Sequence, residues 1–127
     1  MPKILFIDDE QENCQIAERY FRKKGFDFIG ETDPVNSLNA YKDHSPQIVL
    51  IDMNLGSGVT GIDVLSSINS EKKGDTRIIM LSGLLQVEYF KNQAMLLGAD
   101  DFLVKPIDPN LILDKIQSYL QAPPEKV

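Results

Sequence analysis

Residues 48–51 read Ile-Val-Leu-Ile, and the next residue is Asp52. No polar side chain interrupts the run, so neither face of a strand built from it can meet water. Such a strand belongs in the middle of a parallel sheet covered by helices on both sides. A carboxylate at the end of that strand is out of place unless something there uses it. Met53, Asn54, Leu55 and Gly56 then lead into a turn. The chain is expected to be organised around Asp52 as a chemically active group.

The remaining sequence supplies the partners of this strand. Ile4 to Ile7 is a first short apolar strand, ending in Asp8, Asp9 and Glu10. Cys14, Ala17 and Phe21, widened by Ile16 and Tyr20, form the apolar stripe of a first helix that stops at Gly25. Phe26 to Gly30 is a weaker second strand. Asp33-Pro34 places a capping carboxylate before a proline, and Val35, Leu38 and Tyr41 mark a short second helix. His44-Ser45-Pro46 is a loop into the strand at 48–52. Ile62, Leu65 and Ile68 give a third helix, ended near Lys73-Gly74. Arg77 to Leu81 is a fourth strand leading into Ser82-Gly83. Val87, Phe90, Ala94 and Leu97 mark a fourth helix with Gly98 at its end. Asp101 to Val104 is a fifth strand ending in Lys105-Pro106. Asp108-Pro109 opens a fifth helix on Leu113, Ile116 and Leu120.

Five alternations of strand and helix imply right-handed crossovers and an α/β fold. At 127 residues the chain makes one domain, expected over 1–121, with residues 122–127 as a tail or the start of a linker. Nineteen acidic against thirteen basic residues argue against nucleic-acid binding. A single cysteine rules out an internal disulfide and suits a reducing cytoplasm. No segment is long and apolar enough to read as a signal peptide or membrane span.

In a doubly wound sheet, functional polar groups collect at the carboxyl ends of the strands. Here those ends deliver Asp8 and Asp9, Asp52, Ser82 and Lys105. Taken singly, each has an ordinary explanation: a helix cap for the acidic pair, a turn for Asp52, a solvated surface for Lys105. Their joint placement points to one site. Like charges about 4 Å apart repel by roughly 4 kcal/mol at an effective dielectric of 20. Three carboxylates against one ammonium therefore call for a cation. An oxygen-only donor set suits Mg²⁺ or Mn²⁺. Asp52 is then placed to act as a nucleophile toward a phosphoryl group whose oxygens meet the metal, Lys105 and Ser82.

The acidic pair in IDDE, Asp52 after IVLI, Ser82-Gly83 after IIML, and GADDFLVKP at 98–106 together resemble the receiver domain of two-component response regulators, over residues 3 to 121. The resemblance implies a three-layer (βα)5 sandwich with strand order 2-1-3-4-5. It implies that Asp52 accepts a phosphoryl group from a histidine kinase or a histidine phosphotransfer protein. Asp9 is similar to the direct metal ligand, Asp8 to the residue that holds metal-bound water, and the Asn54 carbonyl to a further metal contact. Lys105 resembles the phosphate-binding lysine, and Ser82 with Phe102 the switch pair. The implied output is a change in the face made by the fourth helix, fifth strand and fifth helix, offered to an effector or a second copy. The resemblance, with the need to swing Lys105 into the crevice, also favours a cis Lys105-Pro106 bond.

The chain departs from the family pattern at several points. Gly56 stands where receivers usually carry proline. The loop to Gly61 is one residue longer, so residues 55–60 are expected to be mobile. Phe102 replaces the common tyrosine. Leu84 lies beside the phosphoryl pocket and is expected to slow autodephosphorylation. Met95 and Leu96 are candidates for a partner face. His44 is expected to be a surface loop residue and Cys14 a small core residue.

Three rival readings remain. A haloacid-dehalogenase-type aspartyl phosphatase wants a second aspartate where Asn54 stands. A flavodoxin-like flavin binder wants a hydroxyl-rich loop after the first strand. The third is a receiver that is never phosphorylated. With no effector segment after residue 121, the chain is expected to be a stand-alone regulator or a domain of a longer protein.

Overall fold

The computed structural model describes residues 1–56 and 58–121, with the side chains of 84–88 outside that description. Five strands form one parallel sheet: β1 (Lys3–Ile7), β2 (Asp27–Glu31), β3 (Ile48–Asp52), β4 (Arg77–Ser82) and β5 (Asp101–Val104). Their order is β2-β1-β3-β4-β5. Helices α1 (Gln11–Lys23), α2 (Ser37–His44), α3 (Gly61–Glu71), α4 (Leu84–Leu96) and α5 (Pro109–Gln121) connect them.

The sheet explains the apolar run. Along β3, Val49 and Ile51 face a core shared with Leu5, Ile7, Ile78 and Met80, and packed by α2, α3 and α4. Ile48 and Leu50 face the opposite core, with Ile4, Phe6, Ile79 and Leu81, packed by α1 and α5. Every β3 residue is buried, because successive side chains of a strand point to opposite faces and both faces are covered.

Local signals set the helix ends. Thr60 and Asp63 form a reciprocal capping box at the start of α3. Gly25 and Gly98 take positive φ just past α1 and α4, the left-handed stop that glycine adopts without a Cβ penalty.

Several stripes differ from the periodicity reading. Pro34–Asn36 is a 3-10 turn, capped by the Asp33 carboxylate on the Val35 N–H, and α2 starts only at Ser37. Val35 is therefore exposed, and Ala40 and Tyr41 supply the buried face with Ser37. Ile16 is half exposed, facing a groove between α1 and α5. At the end of α5 the inward position belongs to Tyr119, which leaves Leu120 outward. Tyr119 donates to the Asp101 carboxylate, which Lys115 also engages at 3.1 Å. Polar groups that bond at a specific place override a purely apolar period. His44 is exposed, as expected, but it closes α2 rather than starting the loop. The expectations placed on Leu84 and Val87 lie outside the described side chains, and those on the 122–127 tail outside the described residues.

Cys14 packs at 6 % exposure on the core side of α1, where a Cβ on Gly30 would lie 2.9 Å from its own Cβ. Burial first, and then the nearby Asp8 charge, push the Cys14 thiol up to about 11. Only the thiolate reacts, so in the native protein at pH 8 alkylation of Cys14 is expected to wait on opening of the fold and to follow the small population of the opened form. Mass spectrometry of iodoacetamide-treated protein checks this. Labelling within minutes under native conditions would contradict it.

Candidate functional site

The register of the sheet brings the strand ends together. Ile7 pairs with Ile51, so Asp8 and Asp52 sit one step beyond paired residues on adjacent strands. Asp52 pairs with Leu81, and Ser82 with Val104. Lys105 follows β5 directly, its N–H donating to the Ser82 carbonyl at 2.7 Å. The Lys105-Pro106 peptide is cis, as expected.

Asp8, Asp9 and Asp52 each offer a carboxylate oxygen within 4.8 Å of the others. Asp8 and Asp52 are buried, at 1 % and 5 % exposure, whereas Asp9 is exposed. Each carboxylate has its own anchor. Asp52 Oδ1 accepts from the Asn54 N–H at 3.1 Å, and Lys105 Nζ stands 3.1 Å from Oδ2. Asp8 Oδ1 accepts from the Glu10 N–H at 2.9 Å, and Oδ2 from the Asn13 side-chain amide at 3.1 Å. Asp9 Oδ2 accepts from the Gly56 N–H at 2.8 Å.

The charge balance stays negative. Burial holds the Asp52 carboxyl above its ordinary range; the Asn54 N–H and the Lys105 ammonium pull it back, and the Asp8 charge adds to the rise. Burial disfavours the charged form, and a neighbouring like charge does the same. A cation between the three carboxylates relieves both. The donor set is oxygen only, with a mixture of buried and exposed carboxylates that leaves room for water, and it fits a hard divalent ion. It contains no histidine or thiolate.

Ser82 is fully buried at the end of β4, its hydroxyl donating to the Gly83 carbonyl at 2.9 Å. Phe102 is turned inward, 6 % exposed, in the core that also holds Met80, Ala94 and Ala99. Asn54 is exposed and reaches the cluster through its backbone N–H. Met95 and Leu96 project from α4, Leu96 at 88 % exposure.

Beside the carboxylates a groove of about 570 Å³ opens between α1 and α5. Asp8, Asn13 and Lys105 line its polar end, and Ile16, Tyr20 and Ile107 line its apolar length. The Tyr20 hydroxyl bonds the Asn110 side chain across it.

The sequence reading missed Asn13, the Glu10 N–H and the Gly56 N–H. Asn13 had a faint signal, an amide in the first turn of the helix that follows the acidic pair. The two backbone donors had none beyond their positions.

The chain of the loop from β3 to α3 is held at both ends. Leu55 is buried in the core, and the Gly61 N–H donates to the Met53 carbonyl at 3.2 Å. Between them, Ser57 lies outside the described residues, so the expected mobility of 55–60 falls in part there.

Among known proteins, the response regulator receiver domain family model matches residues 4–117. A probable transcriptional regulator, ycf27, of Porphyridium aerugineum is 34 % identical over 94 % of this chain and 48 % of its own length. The chemotaxis protein CheY of Bacillus subtilis is 29 % identical over 93 % of this chain and 97 % of its own. The response regulator ArlR of Staphylococcus aureus is 27 % identical over 99 % of this chain and 56 % of its own length. The chain thus spans about half the length of two of these relatives and nearly all of the third. Among solved structures, a response regulator receiver domain protein from Clostridium thermocellum superposes with a TM-score of 0.85 at 24 % identity, covering 94 % of each chain. A receiver domain protein from Methanospirillum hungatei gives 0.86 at 22 % identity, again over 94 % of both chains.

Proposed function

The chain belongs to the response regulator receiver domain family of two-component signalling, and on that premise we propose that Asp52 is its phosphoacceptor. The observation that carries this reading is the convergence of Asp8, Asp9, Asp52 and Lys105 from three strand ends on one crevice. The donor is a phosphohistidine on a histidine kinase or histidine phosphotransfer protein. An Asp52 oxygen forms the new O–P bond as the donor's N–P bond breaks and its electron pair leaves with the imidazole.

Asp9 and Asp52 would hold Mg²⁺ or Mn²⁺ directly, together with the Asn54 carbonyl, and Asp8 would hold the ion through a water. Such an ion, when bound, would supply neutralising charge for the transferring phosphoryl oxygens. Lys105, now 3.1 Å from Asp52, meets one of those oxygens, and the Ser82 hydroxyl meets another. Ser82 and Phe102 form the switch: movement of the hydroxyl toward the phosphoryl group changes the space next to the Phe102 ring. The face of α4, β5 and α5 changes with it, as a population shift between two states. Exposed Leu96 and Met95 fit an effector or a second copy on that face. The domain acts in the cytoplasm and catalyses its own phosphotransfer and slow dephosphorylation. Among the described residues no helix is long and apolar enough to cross a membrane.

The test is labelling by acetyl phosphate with Mg²⁺, followed by size-exclusion chromatography. One acid-stable, base-labile phosphoryl group per chain is expected, and none when the metal is chelated. Labelling that survives chelation would overturn the metal's part. Repeated turnover of the donor with no stable adduct would favour a phosphatase.

A further inference from the structure

We propose that the Gly56 amide is a positioning group for the metal-binding Asp9, and that it couples metal binding to the loop between β3 and α3. The inference rests on the metal role given to Asp9 above. Asp9 is the exposed member of the three carboxylates. Its buried neighbours are held by the packing around them as well as by hydrogen bonds. An exposed aspartate has freer rotamers, and a metal that binds it must first select one. In this protein the Gly56 N–H makes that selection, donating to Asp9 Oδ2 at 2.8 Å from 47 residues away in the chain.

Two features make the contact a constructed one. Leu55 is anchored in the core at 6 % exposure, which fixes the position of the adjoining Gly56 N–H. A Cβ on Gly56 would stand 2.9 Å from the same Asp9 Oδ2, so a side chain there would press on the carboxylate oxygen that the N–H now holds. Proline, the residue that receivers usually carry here, has no N–H to give. The anchor is therefore a property of this chain's own loop. The bond uses one oxygen of Asp9 and leaves the other for a cation. Groups that hydrogen-bond a metal ligand typically set affinity by about 10–100-fold. By linkage, whatever Gly56 contributes to metal affinity the metal returns as order at Gly56.

The experiment is a calorimetric Mg²⁺ titration of the wild type, Asp9→Asn and Gly56→Pro, with hydrogen exchange of the wild-type Gly56 amide measured by NMR with and without Mg²⁺. Gly56→Pro is expected to bind Mg²⁺ about 10-fold more weakly, and Mg²⁺ to slow exchange at Gly56 in the wild type. Unchanged affinity in a folded Gly56→Pro protein overturns the proposal. So does Gly56 exchange that Mg²⁺ leaves unchanged or speeds, and this decides the matter alone if the proline variant does not fold. A wild type that binds no Mg²⁺, or an Asp9→Asn protein that binds it equally well, overturns instead the metal reading on which the proposal rests.

Discussion

Asp52→Asn is expected to take up no phosphoryl group from acetyl phosphate, and at neutral pH without metal to be more stable than the wild type. The two halves of this result have one cause. In the wild type the carboxylate sits at 5 % exposure, and burial holds its pKa above the ordinary value, with Asp8 adding to the rise. A group whose pKa is raised by folding favours the fold when protonated. That contribution is complete below the ordinary carboxylate pKa and is lost as the pH rises through the folded value. At pH 7 the ionised Asp52 is therefore a burden on the metal-free fold, one that its proposed role as phosphoacceptor accounts for.

The amide removes the charge while its oxygen keeps an acceptor for the Asn54 N–H. Lys105 loses its partner, but its side chain is 40 % exposed and stays hydrated. A single stabilising substitution commonly yields about 0.5–2 kcal/mol, here a rise on the order of 4 °C in the thermal midpoint. The difference between variant and wild type should be greatest at pH 7 and shrink toward pH 4. Calorimetric scans across that range check the sign. A midpoint below wild type at pH 7, or a gain that grows with acid, would refute the account of Asp52. Undiminished labelling would move the acceptor to another residue.

Gly61→Ala is expected to destabilise the protein by about 3 kcal/mol, the upper part of the range for forced overpacking. In the first turn of α3 the same change would ordinarily help, since alanine is the better helix former by roughly 1 kcal/mol. Here a Cβ would lie 2.6 Å from the Asp52 carbonyl oxygen and 2.6 Å from the Met53 Cα. Both are backbone atoms at the end of the central strand, and neither can rotate away. The Gly61 N–H also donates to the Met53 carbonyl at 3.2 Å, so the helix start cannot retreat without losing that bond. Any accommodation moves the peptide that carries Asp52. Denaturant unfolding measures the first effect, and the initial rate of labelling, expected to fall in parallel, measures the second. Stability equal to or above wild type would show that the close approach of α3 to β3 is not needed.

Much of this was readable in one dimension. The unalternating run at 48–51 required a sheet covered on both faces, and the five alternations of strand and helix required parallel strands. The polar residues that break each apolar run marked the strand ends, and the crossover rule then placed Asp8, Asp52, Ser82 and Lys105 on one edge. Those inferences rest on periods of 2.0 and 3.6 residues and on the handedness of the chain, which every sequence carries locally.

The misreadings lie where a residue's surroundings come from elsewhere. Val35 and Leu120 fit apolar stripes yet are exposed, because a 3-10 turn shifts the one and Tyr119, bonded to Asp101, takes the place of the other. The anchors of the carboxylates were the least legible. Gly56 was notable in the sequence only as a departure from a family pattern and as a source of freedom. In the fold its N–H holds Asp9 from 47 residues away. A backbone donor has no side chain to announce it. Its partner is chosen by where two loops meet in space, and only the packed sheet, with Leu55 buried beneath it, determines that.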